Sequence, residues 1–492
     1  MAETTGTFGY RMSVLTAFAK MTIRRWRRTA LLAVACCFVL IGCSSNATEP
    51  ATSGLVNGSA ADSLDDTTDI APLIEEPALE TSSTTSSRAP STTVAPTTLP
   101  STTTTTITSF QEVFLAPNTG DPGASLQGPV ATDLDEALEL LAPGGTIRLA
   151  PGVHKPIALE DYVGNAAAPL RIVAMDGAVI HAAALNIDAA VRIKGSSHVV
   201  LQNLQLEHAL WGLVIEGSRG VALFDSTVSD IGQEAIRVRD GSSQIRIERN
   251  SVFNTGMRSD IEHQSGEGIY IGTGTPSGVD AVDDIRIVDN DIFQTSDEAI
   301  DIKAAATNIV IANNRVSDIS TGTSGAVVVH LDATPDAEDP NVIIERNVIR
   351  NVRRTSPYRD GNCIVAAATV TIVNNVLHDC EHRGIYLRGE AGTAIIQHNT
   401  LIKAGDVGGI VNEHATFTVL DQNNLGVAGE SNHLLDERVD LVDPSAQDYR
   451  VAQGGVLNTA PFIGVVHDFT GAERALSEVT YGAFEYLESI GP

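Results

Sequence analysis

Basic residues are what this sequence is short of. Against 61 Asp and Glu it sets 32 Lys and Arg, a net charge of −29 over 492 residues. Nucleic acid is held by a basic face, so this balance excludes it as a partner, and it disfavours adsorption to anionic lipid. Cysteine is scarce too, with five in all. No set of Cys and His has zinc-site spacing. Glycine-rich stretches such as Gly266-Glu267-Gly268 have no helix after them to hold phosphate, and read as turns. The conspicuous apolar run, Thr29 to Ile41, is too short to span a bilayer comfortably.

What is there begins with that run. Arg24, Arg25, Arg27 and Arg28 precede it and Leu40-Ile41-Gly42-Cys43 ends it. A basic region, a short apolar region and a small residue before a cut make a signal peptide of residues 1–43, with the start at Met1 or at Met21. The last four residues resemble a bacterial lipobox, which implies cleavage before Cys43, lipidation of its thiol and an extracytoplasmic, cell-envelope location. A plain signal anchor or a buried helix is the alternative. Residues 44–109 are rich in Ser, Thr, Pro and Ala, as in Ser101-Thr102-Thr103-Thr104-Thr105-Thr106. Such a stretch lacks the apolar surface to fold and serves as a disordered tether.

The composition changes at Phe110. Val113 to Asn118 has the pattern of a strand and turn. Leu134, Ala137, Leu138 and Leu141 then recur at helical spacing. Thr132 or Asp133 can cap that helix and Pro143-Gly144-Gly145 can stop it. A helix at this point would cover the open apolar end of a repeat array.

The repeat itself has the form apolar-x-apolar-x-x-Asn-x-apolar. It runs through Ile245-Ile247-Asn250-Val252, Ile285-Ile287-Asn290-Ile292, Ile309-Ile311-Asn314-Val316, Val342-Ile344-Asn347-Ile349 and Val370-Ile372-Asn375-Leu377. Ala394-Ile396-Asn399-Leu401 and Thr418-Leu420-Asn423-Leu425 continue it, and weaker copies centre on Leu204 and Ser226. The spacing from Asn290 to Asn314 returns from Asn375 to Asn399 and from Asn399 to Asn423, and sets a basic coil of roughly two dozen residues. The wider gaps after Asn250, Asn314 and Asn347 mark insertions in three coils. A second half-coil is a strand after a small residue, as in Gly212-Leu213-Val214-Ile215, Gly268-Ile269-Tyr270-Ile271 and Ala299-Ile300-Asp301-Ile302. Short strands at this period, with no helices between them, stack coil on coil about 4.8 Å apart with apolar residues inward. The expected fold is an all-β parallel β-helix over residues 110–487, with its asparagines in one column. A leucine-rich solenoid needs a denser leucine pattern.

That register maps the outer face. Successive coils place Val214, Arg237, Tyr270, Asp301, Val328, Val365, Tyr386 and Val411 at one outward position. The next outward position holds Glu216, Arg239, Gly272, Lys303, His330, Ala367, Arg388 and Glu413. Glu234, Glu267 and Glu298 precede the small residue. Charged groups thus gather within about 15 Å along the axis. The insertions Gly256–Ser265, Gly272–Asp283, Asp332–Asp339 and Arg353–Asp360 are expected to wall a cleft beside them.

Removing a proton beside a uronate carboxylate needs a base and a cation. Lys303 is the candidate base, with a pKa expected to fall near arginines. Glu267, Glu298 and Asp301 are candidate calcium ligands. Arg239, Arg388, His330 and Tyr270 are candidates to bind the uronate or protonate the leaving oxygen, and Arg237 and Tyr386 to bind substrate. Trp211 is either a partly buried core residue or a platform for a sugar ring. Cys363 and Cys380, close in register, either pair or stay as buried thiols.

Residues 110 to 487 resemble the pectate-lyase-like right-handed β-helix superfamily, which implies the handedness. Val113 to His154 looks like its opening segment, and Asp448-Tyr449-Arg450-Val451 and Tyr481-Gly482-Ala483-Phe484-Glu485 look like its closing segment. Glu298-Ala299-Ile300-Asp301-Ile302-Lys303 is similar to a motif of polysaccharide lyase family six, the chondroitinase B and alginate lyase family. There a glutamate stands five residues before the catalytic lysine, as Glu298 does before Lys303. The family's earlier glutamate falls on Ser296 here and its arginine on Val329. The polygalacturonase pattern, an Asp-Asp pair with a Gly-His-Gly turn, is not found in a matching context. The resemblance implies a lyase or C5-epimerase acting on an acidic polysaccharide. The alternative is a non-catalytic surface protein that binds glycan or protein.

Overall fold

In the computed structural model, residues 109–484 are described, apart from 119–125, 259–264, 274–279, 304–305, 322–323, 331–340, 356–359, 391, 406–407, 429–430, 436–440, 453–459, 462 and 476–477. The signal segment, Cys43 and the tether lie outside the described residues, as do the tips of the four insertions and Glu485.

Three long parallel sheets, of 13, 10 and 10 strands, carry the chain. A complete coil contributes one strand to each, as Ser243–Glu248, Ser251–Phe253 and Ile269–Ile271 do. The first half-coil read from the sequence is therefore two strands. A residue in the left-handed region breaks it just before each ladder asparagine: Arg249, Asp289, Asn313, Arg346, Asn374 and His398 all have φ between 53° and 58°. The turn that follows is closed by the asparagine. Asn314 Nδ2 donates to Ile287 O at 2.8 Å and to Asn347 Oδ1 at 3.0 Å, and its backbone N–H donates to the same Oδ1 at 2.9 Å. The pattern runs from Asn250 through Asn290, Asn314, Asn347, Asn375 and Asn399. Every member is buried, so the column satisfies backbone groups that the turn would otherwise strand. Ser226, before Asn250, accepts the Leu204 N–H in the same way.

The last coil departs from the expected register. Asn424, not Asn423, accepts from Asn399 Nδ2 at 3.0 Å, and Asn423 is the left-handed residue before it, at φ 56°. Val419 pairs with Ala394, and Leu420, expected inside, is 48% exposed. One residue of slip exchanges the two faces of a strand.

The apolar columns form one continuous core. Small residues before the third strand are sterically required: a Cβ on Gly268 would lie 2.6 Å from Ala299 O. The helix is Leu134–Leu140, capped by Asp133, whose Oδ1 accepts from Glu136 N at 2.9 Å. Ala137 is buried with Val113, Leu115 and Ala131 at the start of the stack. The chain passes directly from the helix into a strand at Leu141, so Pro143-Gly144-Gly145 lies within that strand and is not the stop. After the last coils Leu441–Asp443 and Asp448–Val451 pair antiparallel and pack, with Ala483 and Phe484, on the outer face of the second sheet over Val376, Ile402 and Leu425. Cys363 and Cys380 form a buried disulfide.

A candidate acidic centre on the third sheet

The third sheet brings Ile269–Ile271, Ile300–Ile302 and Gly325–Val329 side by side, with Tyr270 beside Asp301 and Asp301 beside Val328. The register expected from the sequence holds here. The face is not open throughout, because Asp301, Val328 and Val365 are fully buried. At Asp301 longer side chains of its own and the next coil close over a short one: Lys303 Nζ contacts its Oδ2, and His330 Nε2 lies 3.4 Å from its Oδ1.

Glu267, Glu298 and Asp301 meet at this point, each with a carboxylate oxygen within 4.8 Å of the others. All three are buried. Glu298 Oε1 accepts from Ser324 Oγ at 3.2 Å. Glu267 Oε2 and Asp301 Oδ1 are buried without a hydrogen-bond donor among the described residues. Burial, then Glu234, Glu298 and Asp301, push the Glu267 carboxyl up to about 8. Burial and Glu298 push Asp301 up to about 7, against the pull of Lys303 and Arg388. Three carboxylates gathered in a small volume, two of them with a buried oxygen that has no donor, fit a hard divalent cation such as calcium, which would displace the protons that burial favours.

Lys303 does not have the lowered pKa expected of it. Burial disfavours its charge, but Asp301, with Glu298 and Tyr270, outweighs burial and holds the ammonium above its ordinary value. Two of the arginines expected beside it, Arg237 and Arg239, have other partners. Arg237 lies between the rings of Trp211 and Tyr270, 5.0 and 5.5 Å from their centroids, and Lys303 lies 5.3 Å from that of Tyr270. Trp211 is half-buried, its indole N–H donating to Glu234 Oε2 at 2.8 Å. Arg239 is drawn to Asp240 and Glu216, at 3.3 and 3.8 Å, and does not join the centre. Tyr386 donates to Glu413 under Arg383, also apart from it; burial and Glu413 push its phenol up to about 12.

Arg388 does reach in, across two coils. The residue between it and His330 in register is Ala367, small enough to let the guanidinium pass. Arg388 donates to His330 Nδ1 at 2.6 Å, which leaves the ring hydrogen on Nε2, facing Asp301. Burial, Lys303 and Arg388 push this imidazole down to about 3, so it is neutral. The sequence did not point to Ser324, whose link to Glu298 exists only across coils. Ser296, where the resembled family has a glutamate, is a half-buried wedge with its Oγ turned inward: a Cβ on Gly256 or Gly266 would fall 1.8 or 1.9 Å from that oxygen. The insertion between those glycines is thus pinched at its base.

A family model described as right handed beta helix region matches residues 171–425. No curated protein matches the chain. Among solved structures, the pectate lyase Pel9A is 13% identical with a TM-score of 0.50, covering 77% of this chain and 97% of its own. An alginate lyase from Paenibacillus sp. str. FPU-7 is 20% identical with a TM-score of 0.47, over 57% of this chain and 95% of its own. PfbA, a surface adhesin of Streptococcus pneumoniae, is 15% identical with a TM-score of 0.35, over 57% and 79%. At these identities the likeness is one of fold.

Proposed function

The chain belongs to the right-handed β-helix family, and on that scaffold we propose a cell-surface protein that acts on an acidic polysaccharide. The observation that carries the reading is the meeting of Glu267, Glu298 and Asp301 beside Lys303, His330 and Arg388. The three carboxylates would hold a calcium ion. Bound there, the ion supplies positive charge to neutralise a uronate carboxylate. Arg388 presents a guanidinium to the same acid group and fixes His330 as a neutral donor. Were Asp301 to serve a divalent ion, Lys303 would share its carboxylate partner with a second cation. That would lower its pKa and let it take the proton beside the uronate carboxylate. The reaction class is β-elimination or C5 epimerisation. Pel9A, a pectate lyase, has this fold.

The test is to incubate the purified protein with calcium and alginate, pectate or glycosaminoglycans, following absorbance from unsaturated ends, with NMR for epimerised residues. Lys303→Ala should lose at least about a hundredfold in rate, the range of general-base contributions. No product from any polymer, with Lys303→Ala indistinguishable from wild type, ends the proposal. A second reading, a non-catalytic glycan- or protein-binding lipoprotein, is favoured by one observation: Lys303 is held as a cation by Asp301. In either reading Cys43 carries the lipid and the Ser/Thr/Pro-rich segment gives reach. Cys43→Ala should move the protein from the membrane fraction to the medium.

A further inference from the structure

The second sheet carries a feature that the acidic centre does not use. Along one outward column stand Phe253, Phe293, Ser317, Arg350 and His378, each beside the next. The Phe253 and Phe293 rings are stacked, 4.8 Å apart and 8° from parallel, so Phe293 is a fixed wall. Arg350 is the opposite wall, and Ser317 between them is too short to fill the gap. The slot so formed has a volume of about 360 Å³. Arg315 enters it from the adjoining column, Asp291 and Asp318 flank it, and Gln447 from the C-terminal segment borders it. It leads past Arg315 into a second cavity of about 480 Å³ lined by Tyr449, Phe469 and Phe484.

The two arginines decide what fits. Nearby cations are neutralised, Arg346 by Glu345 at 2.7 Å and Arg450 by Asp448 at 2.5 Å. Arg315 and Arg350 have no carboxylate partner among the described residues, although acids outnumber bases nearly two to one in this chain. Both lie close enough to Tyr449 to pull its phenol down against the larger upward push of burial. Two unpaired guanidiniums on one slot repel each other until an anion bridges them.

We propose that this slot is an accessory binding site for a uronate residue of an acidic polysaccharide, separate from the acidic centre. The carboxylate bridges Arg315 and Arg350, the apolar face of the sugar ring lies on Phe293, and its hydroxyls donate to Asp291, Asp318 or Gln447. The next sugar continues toward Tyr449 and Phe469. An aromatic wall, paired guanidiniums and flanking acceptors together suit a sugar acid better than a bare anion. The choice of polymer rests on the function proposed above; the site does not.

The test is calorimetric titration of the full chain with oligogalacturonate and oligoalginate in EDTA, which leaves the acidic centre without metal. A neutral cello-oligosaccharide and dextran sulfate serve as controls. The double variant Arg315→Ser/Arg350→Ser should weaken uronate binding roughly a hundredfold, about tenfold per charge-assisted bond. Ser317→Leu should weaken it comparably by filling the slot with no change of charge, its melting curve serving as a check on folding. Glu298→Gln should leave it unchanged. Absence of uronate binding overturns the proposal, as does equal binding of dextran sulfate or a Ser317→Leu variant that folds and binds normally. If Ser317→Leu does not fold, the arginine variant decides alone. Oligouronate that binds here but is never converted sinks the proposed reaction and leaves this site standing.

Discussion

Glu267 concentrates the electrostatics of the molecule in one side chain. It is buried among Glu234, Glu298 and Asp301, and its pKa near 8 says that ionising it in the folded protein is costly. A carboxyl whose pKa is raised on folding contributes stability that is fully present below its unfolded value, near 4.5, and is lost as the pH rises through 8. Asp301 acts in the same direction, with its loss centred near 7. The calcium-free protein should therefore melt at progressively lower temperature from pH 5 to 8.5, and calcium should restore most of the loss at the upper end. Glu267→Gln should flatten the profile and weaken calcium binding. A melting temperature in EDTA that is level over this range would contradict the assignment of these groups. Calcium affinity should itself fall as the pH drops, because protons compete for the same oxygens.

At the scale of the element, the turn between the first and second sheets is a left-handed residue followed by an asparagine. Asn347 shows what each rung contributes. It donates to Ile311 O at 2.9 Å and to Asn375 Oδ1 at 3.0 Å, and accepts from Asn314. Asn347→Ala leaves those groups buried and unpaired, at a cost of about 2–4 kcal/mol. Asn347→Ser should cost less, because a hydroxyl can still accept the preceding N–H, as Ser226 does from Leu204. Urea unfolding of the two variants measures the difference; equal losses would mean that the column is packing and not hydrogen bonding. The third-sheet strand works differently. Its small first residue lets coils approach, and its alternation sends Tyr270, Asp301 and Tyr386 to the same face while Ile269, Ile300 and Ile385 pack inside.

Over the whole molecule, stability is carried by contacts between neighbouring coils, so a cross-link acts locally and strongly. The Cys363–Cys380 bridge joins residues 17 apart in the sequence. Replacing both by alanine should lower the unfolding free energy by about 3 kcal/mol on the loop-closure model. Calcium binding at the third sheet should be untouched. A loss of calcium affinity equal to the loss of stability would show instead that the late coils and the acidic centre unfold as one unit. The C-terminal segment covers the outer face of the second sheet. Arg474, buried, donates to the Gly482 and Ala483 carbonyls at 3.0 Å and to Asn374 Oδ1 at 2.9 Å, tying that segment to the coils.

The sequence alone determined the solenoid, its period and, up to the last coil, which side chains share a column, because a recurring asparagine flanked by alternating apolar residues fixes the stacking register whatever the turns between them hold. That is why Glu267, Glu298 and Asp301 are legible as a set in the sequence. The tertiary structure decided what depends on distance between coils rather than on order within them. It moved the last rung to Asn424, since only hydrogen bonding to Asn399 distinguishes two adjacent asparagines. It joined Cys363 to Cys380, which register had only brought near. It set Lys303 against Asp301 and sent Arg239 and Tyr386 to other partners. It also built the slot at Ser317, whose border at Gln447 comes from the C-terminal segment, several coils further along the chain. Charge and burial act through space, and a linear pattern fixes them only where the repeat itself does.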